Sequence, residues 1–168
     1  MKKIYFILLM FCVFKISEIK AQQTVDSTVI KRAQNVYVEL LGQGLLLTAN
    51  YDTRFSNKRN GIGGRIGVGY IAGGGDNVAT VPIGLNYLLG KGRSFFEIGL
   101  GVTYLSGKLK DDIFDEDFKS FVGTSSFSYR LQPVNSGFSF RGGLTPIFGS
   151  GYFYPFYGLS LGYTFSGK

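Results

Sequence analysis

From Phe95 to Leu105 the chain alternates without a break. Phe96, Ile98, Leu100, Val102 and Tyr104 fall on one side of an extended backbone, and Glu97, Gly99, Gly101 and Thr103 fall on the other. A period of two with one apolar and one polar face marks a β-strand. The same pattern closes the sequence, where Tyr157, Leu159, Leu161, Tyr163 and Phe165 oppose Gly158, Ser160, Gly162 and Thr164. Aromatics at both ends with aliphatics between them describe a membrane-spanning strand, whose apolar band is flanked by aromatic girdles.

Turn signals divide the rest of the chain into six further strands. The spacing predicts strands at Val36–Leu41, Leu45–Phe55, Gly61–Ile71, Val78–Leu89, Phe95–Leu105, Ser120–Gln132, Phe138–Phe148 and Tyr157–Phe165. Read as one strand, Asn35 to Phe55 would run roughly 65–70 Å at ~3.3 Å per residue. An apolar band about 25 Å tall cannot hold it. Gly42-Gln43-Gly44 is therefore a tight turn or a severe bulge. The predicted fold class is all-β, an eight-stranded antiparallel up-and-down transmembrane β-barrel. Short turns fall on one side and longer connections, including an acidic loop over Gly107–Lys119, on the other. Pro82 and Pro146 count against continuous pairing, because proline cannot donate to a ladder. Both are assigned to the loop ends of their strands.

Residues 1–21 read as a secretory signal peptide, with Lys2 and Lys3 before an apolar core at Ile4–Phe14. That core is far shorter than the ~20 residues of a spanning helix. Cys12 lies inside it, so no disulfide or thiolate metal site is expected in the mature chain. Residues 22–34 form a polar periplasmic lead-in, and the barrel occupies 35–168. Loss of the leader removes four lysines and one glutamate from a formal charge of +7, leaving +4. That mild excess contains no basic run, which argues against a nucleic-acid partner.

Every charge within a predicted strand falls on the polar face: Glu39, Asp52, Arg54, Arg65, Glu97, Arg130 and Arg141. Hairpin geometry sets Asp52 across from Arg65, Glu97 close to Arg130, and Arg130 beside Arg141. Three acids against four arginines make a nearly neutral lumenal network. Bidentate arginine–carboxylate pairs suit a narrow lumen, and inward glycines make room for them. An eight-stranded barrel is just wide enough for side chains to fill. The network is accordingly read as structural packing, in preference to a gated polar path.

Other motifs carry no chemistry. Gly67-Val68-Gly69-Tyr70-Ile71-Ala72 fits the dinucleotide fingerprint by letter, but Gly73-Gly74-Gly75 forbids the helix that must follow it. The acidic run Asp111–Asp117 has oxygen ligands but not the spacing or glycine of a calcium loop, and reads as solvated. A weak part in bridging lipopolysaccharide cations is the alternative. The sequence holds no histidine, so a serine or carboxylate nucleophile would need an unusual base. The expectation is no enzymatic activity and no catalytic, cofactor or metal residues.

Tyr163-Thr164-Phe165 resembles the aromatic-x-Phe ending of outer-membrane barrels, which their assembly machinery reads. Val36–Gly42, Asn50–Phe55, Pro82–Tyr87 and Gly158–Tyr163 are similar to stretches in small uncharacterised barrels of Bacteroidota-type bacteria. Over most of the mature chain the sequence resembles the OmpA/OmpX type. The resemblance implies residence in the cell outer membrane of a Gram-negative bacterium. It also implies contact with outer-membrane lipid and lipopolysaccharide, insertion by the assembly machinery with Tyr163 and Phe165 as signal, and room for a surface ligand. The expected role is structural or surface interaction. The alternatives are a narrow pore for small solutes or ions and a soluble lipid-binding barrel of lipocalin type.

Overall fold

The computed structural model describes residues 32–73, 76–110, 115–149 and 151–166. The predicted signal peptide, nearly all of the predicted lead-in, the tip of the acidic connection at 111–114 and the last two residues lie outside that range. Strands run at β1 Ala33–Leu41, β2 Leu47–Arg54, β3 Gly61–Gly73, β4 Asp76–Lys91 and β5 Ser94–Lys110. They continue at β6 Asp115–Leu131, β7 Gly137–Leu144, β8 Ile147–Gly149, β9 Tyr152–Tyr154 and β10 Tyr157–Ser166. Each of β1 to β6 pairs antiparallel with the next, β7 pairs with β10, and β10 pairs back onto β1. The result is a closed eight-stranded up-and-down barrel. β8 and β9 form a small hairpin between its last two strands, with β8 held against β6.

Closure follows from the alternation. Each of the eight barrel strands has an apolar and a polar face, and closing the ring pairs them on both sides while sorting the faces. The sorting puts apolar side chains outside: Leu100 is 63% exposed and Val68 62%. Glu39, Asp52, Arg54, Glu97 and Arg130 are turned inward and buried. This is opposite to a lipocalin, whose apolar face lines its cavity, so the lipocalin alternative is set aside. From Phe96 to Tyr104 the outer face covers about 26 Å of strand, or roughly 20 Å of height at a ~40° tilt.

The wall is uneven. β1 and β2 have 9 and 8 residues, whereas β5 and β6 have 17 each. Most of the predicted acidic loop is strand: Gly107 to Lys110 belong to β5 and pair with residues 115–118 of β6. The barrel likewise begins at Ala33, inside the predicted lead-in.

The prolines interrupt the ladder where they stand. β3 and β4 pair up to Ile66↔Ile83 and resume at Gly69↔Thr80 in the same register, skipping Pro82. Pro82 thus sits inside β4, away from its loop end. Pro146 splits the predicted seventh strand into β7 and β8. The Ser125 amide donates to the Pro146 carbonyl at 2.9 Å, which keeps the chain against β6 across the gap.

Gly42–Gly44 is a single 3-10 turn folded into the barrel, with all three residues buried. Leu41 and Leu45 bracket it at φ of 61° and 73°, and Gly42 has φ of 70°. Left-handed backbone at a leucine costs on the order of 1–3 kcal/mol. It is what keeps Leu41 outside while the next three residues swing into the lumen. The second strand therefore starts at Leu47, two residues later than the alternation of Leu45 suggests.

Candidate functional site

All seven predicted lumenal charges meet in one interior network. β2 supplies Asp52 and Arg54 two residues apart, which the strand period turns to the same side. Arg54 Nη2 donates to both Asp52 oxygens at 2.9 Å. Asp52 also receives Arg130 Nη2 at 3.0 Å and Asn86 Nδ2 at 2.5 Å. Glu97 takes Arg130 Nη1 at 3.3 Å and lies 3.1 Å from Arg141 Nε. Asn86 accepts from Arg54, joining β4 to the cluster.

The predicted register is correct, but one predicted partnership is not. Asp52 does stand across from Arg65, yet Arg65 turns the other way. Its Nη2 donates to Glu39 at 2.6 Å and its Nη1 to Gln43 Oε1 at 2.7 Å. Cross-strand neighbours share a height, but a guanidinium on a long stem can serve carboxylates above or below. Arg130 and Arg141 are register partners, as expected. Their like charges are tolerated because both share the carboxylates of Asp52 and Glu97, each within 4.0 Å.

Several members have no formal charge. Tyr37 takes a hydrogen bond from Arg141 Nη1 at 3.0 Å, and its ring lies 4.5 Å from Arg141 and 5.5 Å from Arg65. It links the Asp52–Glu97 cluster to the Glu39–Arg65 cluster. Its inward parity with Asn35 and Glu39 was readable in the sequence. Gln43 offered no such signal, because its place depends on how the turn folds.

Both ends of the lumen are closed. At the end bearing the β1–β2 connection, the Gly42–Gly44 turn is the plug, and Thr103 Oγ1 donates to the Gln43 carbonyl at 2.5 Å. At the opposite end, Arg59 reaches inward from the β2–β3 turn. It donates to the carbonyls of Gly92 at 2.6 Å and Gln132 at 3.0 Å, and to that of Pro133. Its guanidinium lies 5.7 Å from the centre of the Phe95 ring. Phe95, Leu88 and Gln132 are buried beneath it.

Inward glycines set the clearances. A Cβ at Gly63 would fall on the Arg54 guanidinium, and one at Gly67 on the Asn50 amide. Gly63→Val should therefore push Arg54 off Asp52 and cost about 1–3 kcal/mol by overpacking. Urea unfolding of the barrel in detergent would register the loss.

Outside, a groove of about 660 Å³ runs over Val36, Val38, Ala49, Tyr51, Ile66 and Val68. Its walls are aliphatic and aromatic, with no converging polar groups. Among the described residues no group of three or more His, Cys, Asp or Glu is arranged to hold a metal ion. The G-x-G-x-x-A stretch lies wholly within β3 and opens no helix.

The fold and its sealed interior define an up-and-down barrel with an apolar exterior and a charge-filled lumen. Among solved structures, the chain is similar to the N-terminal β-barrel domain of Pseudomonas aeruginosa OprF. The TM-score is 0.58 over 81% of this chain and 98% of that one, at 9% sequence identity. At that identity the likeness establishes the fold. No protein-family model and no curated protein matches the sequence.

Proposed function

We propose that the protein is a non-conducting, non-enzymatic barrel of the outer membrane, of the small OmpA/OmpX-like kind, with a structural or surface-interaction role. The observation that carries this reading is the lumen. Asp52, Arg54, Glu97 and Gln132 have 0% exposure, so no water path runs past them. A pore would need those same side chains to line water. The carboxylates are held by arginines, and the chain has no histidine to act as base.

The apolar exterior supports insertion in lipid, since a soluble protein rarely exposes contiguous apolar patches of more than a few hundred Å². In this reading, outer-membrane lipid and lipopolysaccharide surround the wall. Tyr163, 51% exposed on the outer face, and half-buried Phe165 are the assembly signal. A surface ligand would meet the tall β3–β6 rim and the aromatic β8–β9 hairpin, where Phe153 and Tyr154 are exposed.

The mature protein should fractionate with outer membranes and migrate differently on a gel before and after boiling. In planar bilayers it should give no steady conductance. Large, reproducible current steps would replace this reading with the pore, and a soluble protein without a heat shift would end the membrane reading altogether.

A further inference from the structure

We infer that the end of the barrel bearing the short turns binds the headgroups of anionic phospholipids through a basic arc of Arg32, Lys58, Lys91 and Arg93. The inference rests on the membrane reading above and adds a lipid partner to it.

These residues are scattered in sequence, and the fold gathers them. The Ala33 amide, next to Arg32, approaches the Lys58 carbonyl at 3.5 Å. Arg59 donates to the carbonyl of Gly92, which lies between Lys91 and Arg93, and Asn60 Nδ2 donates to that of Gly90 at 3.2 Å. The Gln132 amide then donates to the Arg93 carbonyl at 2.8 Å, which fixes the arc against β6. The seal made by Arg59 is thus also what brings the two basic turns side by side. Arg59 is occupied in that seal, whereas Lys58, Lys91 and Arg93 are exposed and Arg32 half-buried.

Among the described residues no acid stands beside them. Glu39, Asp52 and Glu97 are buried in the lumen. Asp76 and Asp115–Asp117 stand at the opposite ends of β4 and β6. The barrel is therefore polarised along its axis, basic where the turns are short and acid-bearing where the strands rise.

The occupant follows from the height of the arc. Phe55 (56% exposed), Leu89 (46%) and Phe96 (47%) mark the edge of the apolar exterior. Lys58, Lys91 and Arg93 lie two or three residues beyond it, where headgroup phosphates would stand around an inserted barrel. Acyl chains would lie against the aromatics while ammonium and guanidinium groups make charge-assisted hydrogen bonds to phosphate. Basic residues beside a membrane draw anionic lipids in this way, and salt weakens the attraction. A soluble acidic partner would have no use for the adjoining apolar edge.

The test uses the mature protein folded in detergent and checked by its heat-shifted gel migration. It is exposed to equal amounts of phosphatidylglycerol and phosphatidylcholine with identical acyl chains, and retained lipids are counted by native mass spectrometry. Phosphatidylglycerol should be retained roughly three- to tenfold over phosphatidylcholine. The preference should fall to near parity in the triple variant Lys58→Gln, Lys91→Gln, Arg93→Gln. It should persist in Lys119→Gln, an exposed cation at the far end, and shrink with added salt. Parity in a heat-shifted wild type overturns the inference alone, as does equal loss in Lys119→Gln. So does complete displacement by inorganic phosphate at matched concentration, which would make the arc a plain anion site. Absence of any heat-shifted form overturns the barrel-in-membrane reading and this inference with it.

Discussion

Asp52→Asn should lower the unfolding free energy of the barrel by about 3–5 kcal/mol, the usual consequence of removing one partner from a buried ionic cluster. Asp52 has 0% exposure and holds Arg54 at 2.9 Å and Arg130 at 3.0 Å, with Arg141 at 4.0 Å. Asparagine keeps the shape, so no cavity is created. What changes is the balance: two carboxylates then face four guanidiniums, with three of those guanidiniums gathered where the charge was lost. Little screening by water is expected, since Asp52 and Arg54 have 0% exposure and Arg130 1%. Adding Arg54→Met should return part of the loss, since the excess cation goes with it. Denaturant titration of barrels folded in lipid vesicles would measure both. A cost below about 1 kcal/mol for Asp52→Asn would mean that water reaches the network, as it does for surface pairs.

Leu100→Arg should cost about 2–4 kcal/mol of folding free energy in lipid. Leu100 is 63% exposed and lies midway between Phe96 and Tyr104 on the outer face of β5. An arginine there would meet hydrocarbon at the centre of the bilayer. Leu89→Arg, close to the turn end of β4, should cost only about 0–1 kcal/mol, because near the interface the side chain reaches headgroups and water. Folding yield and stability in vesicles would separate the two. Equal and small costs would mean that the outer wall does not face lipid.

Thr103 is a poor control for such a pair. It faces the lumen as its parity predicts, but it is 0% exposed and bonded to the plug. An arginine there would have no room. This is an example of what alternation conveys and what it omits. Parity assigns each strand residue to a face, and it did so for Glu39, Asp52, Arg54, Arg65, Glu97, Arg130 and Arg141. It carries no information on what occupies the space in front of that face.

The fold class, the number of barrel strands and the sorting of charges to the interior are legible in the sequence. Those properties depend on the two-residue period of an extended chain, which is local and needs no knowledge of neighbours. Leu88 and Phe95, buried at the turn-end seal, were within reach of the same rule, since they share parity with Asn86 and Glu97. Three other features depend on contacts between distant strands. The tertiary structure turned Gly42–Gly44 into a plug, through left-handed backbone at two leucines that no local preference favours. It gave Arg65 to Glu39 and Gln43, away from its register partner Asp52. It drew Arg59 across the barrel mouth and gathered the basic turns on either side of it. Each is a choice among several partners within reach of a long side chain or a turn. Such choices are made by the closed ring, which brings distant strands to within a hydrogen bond of one another.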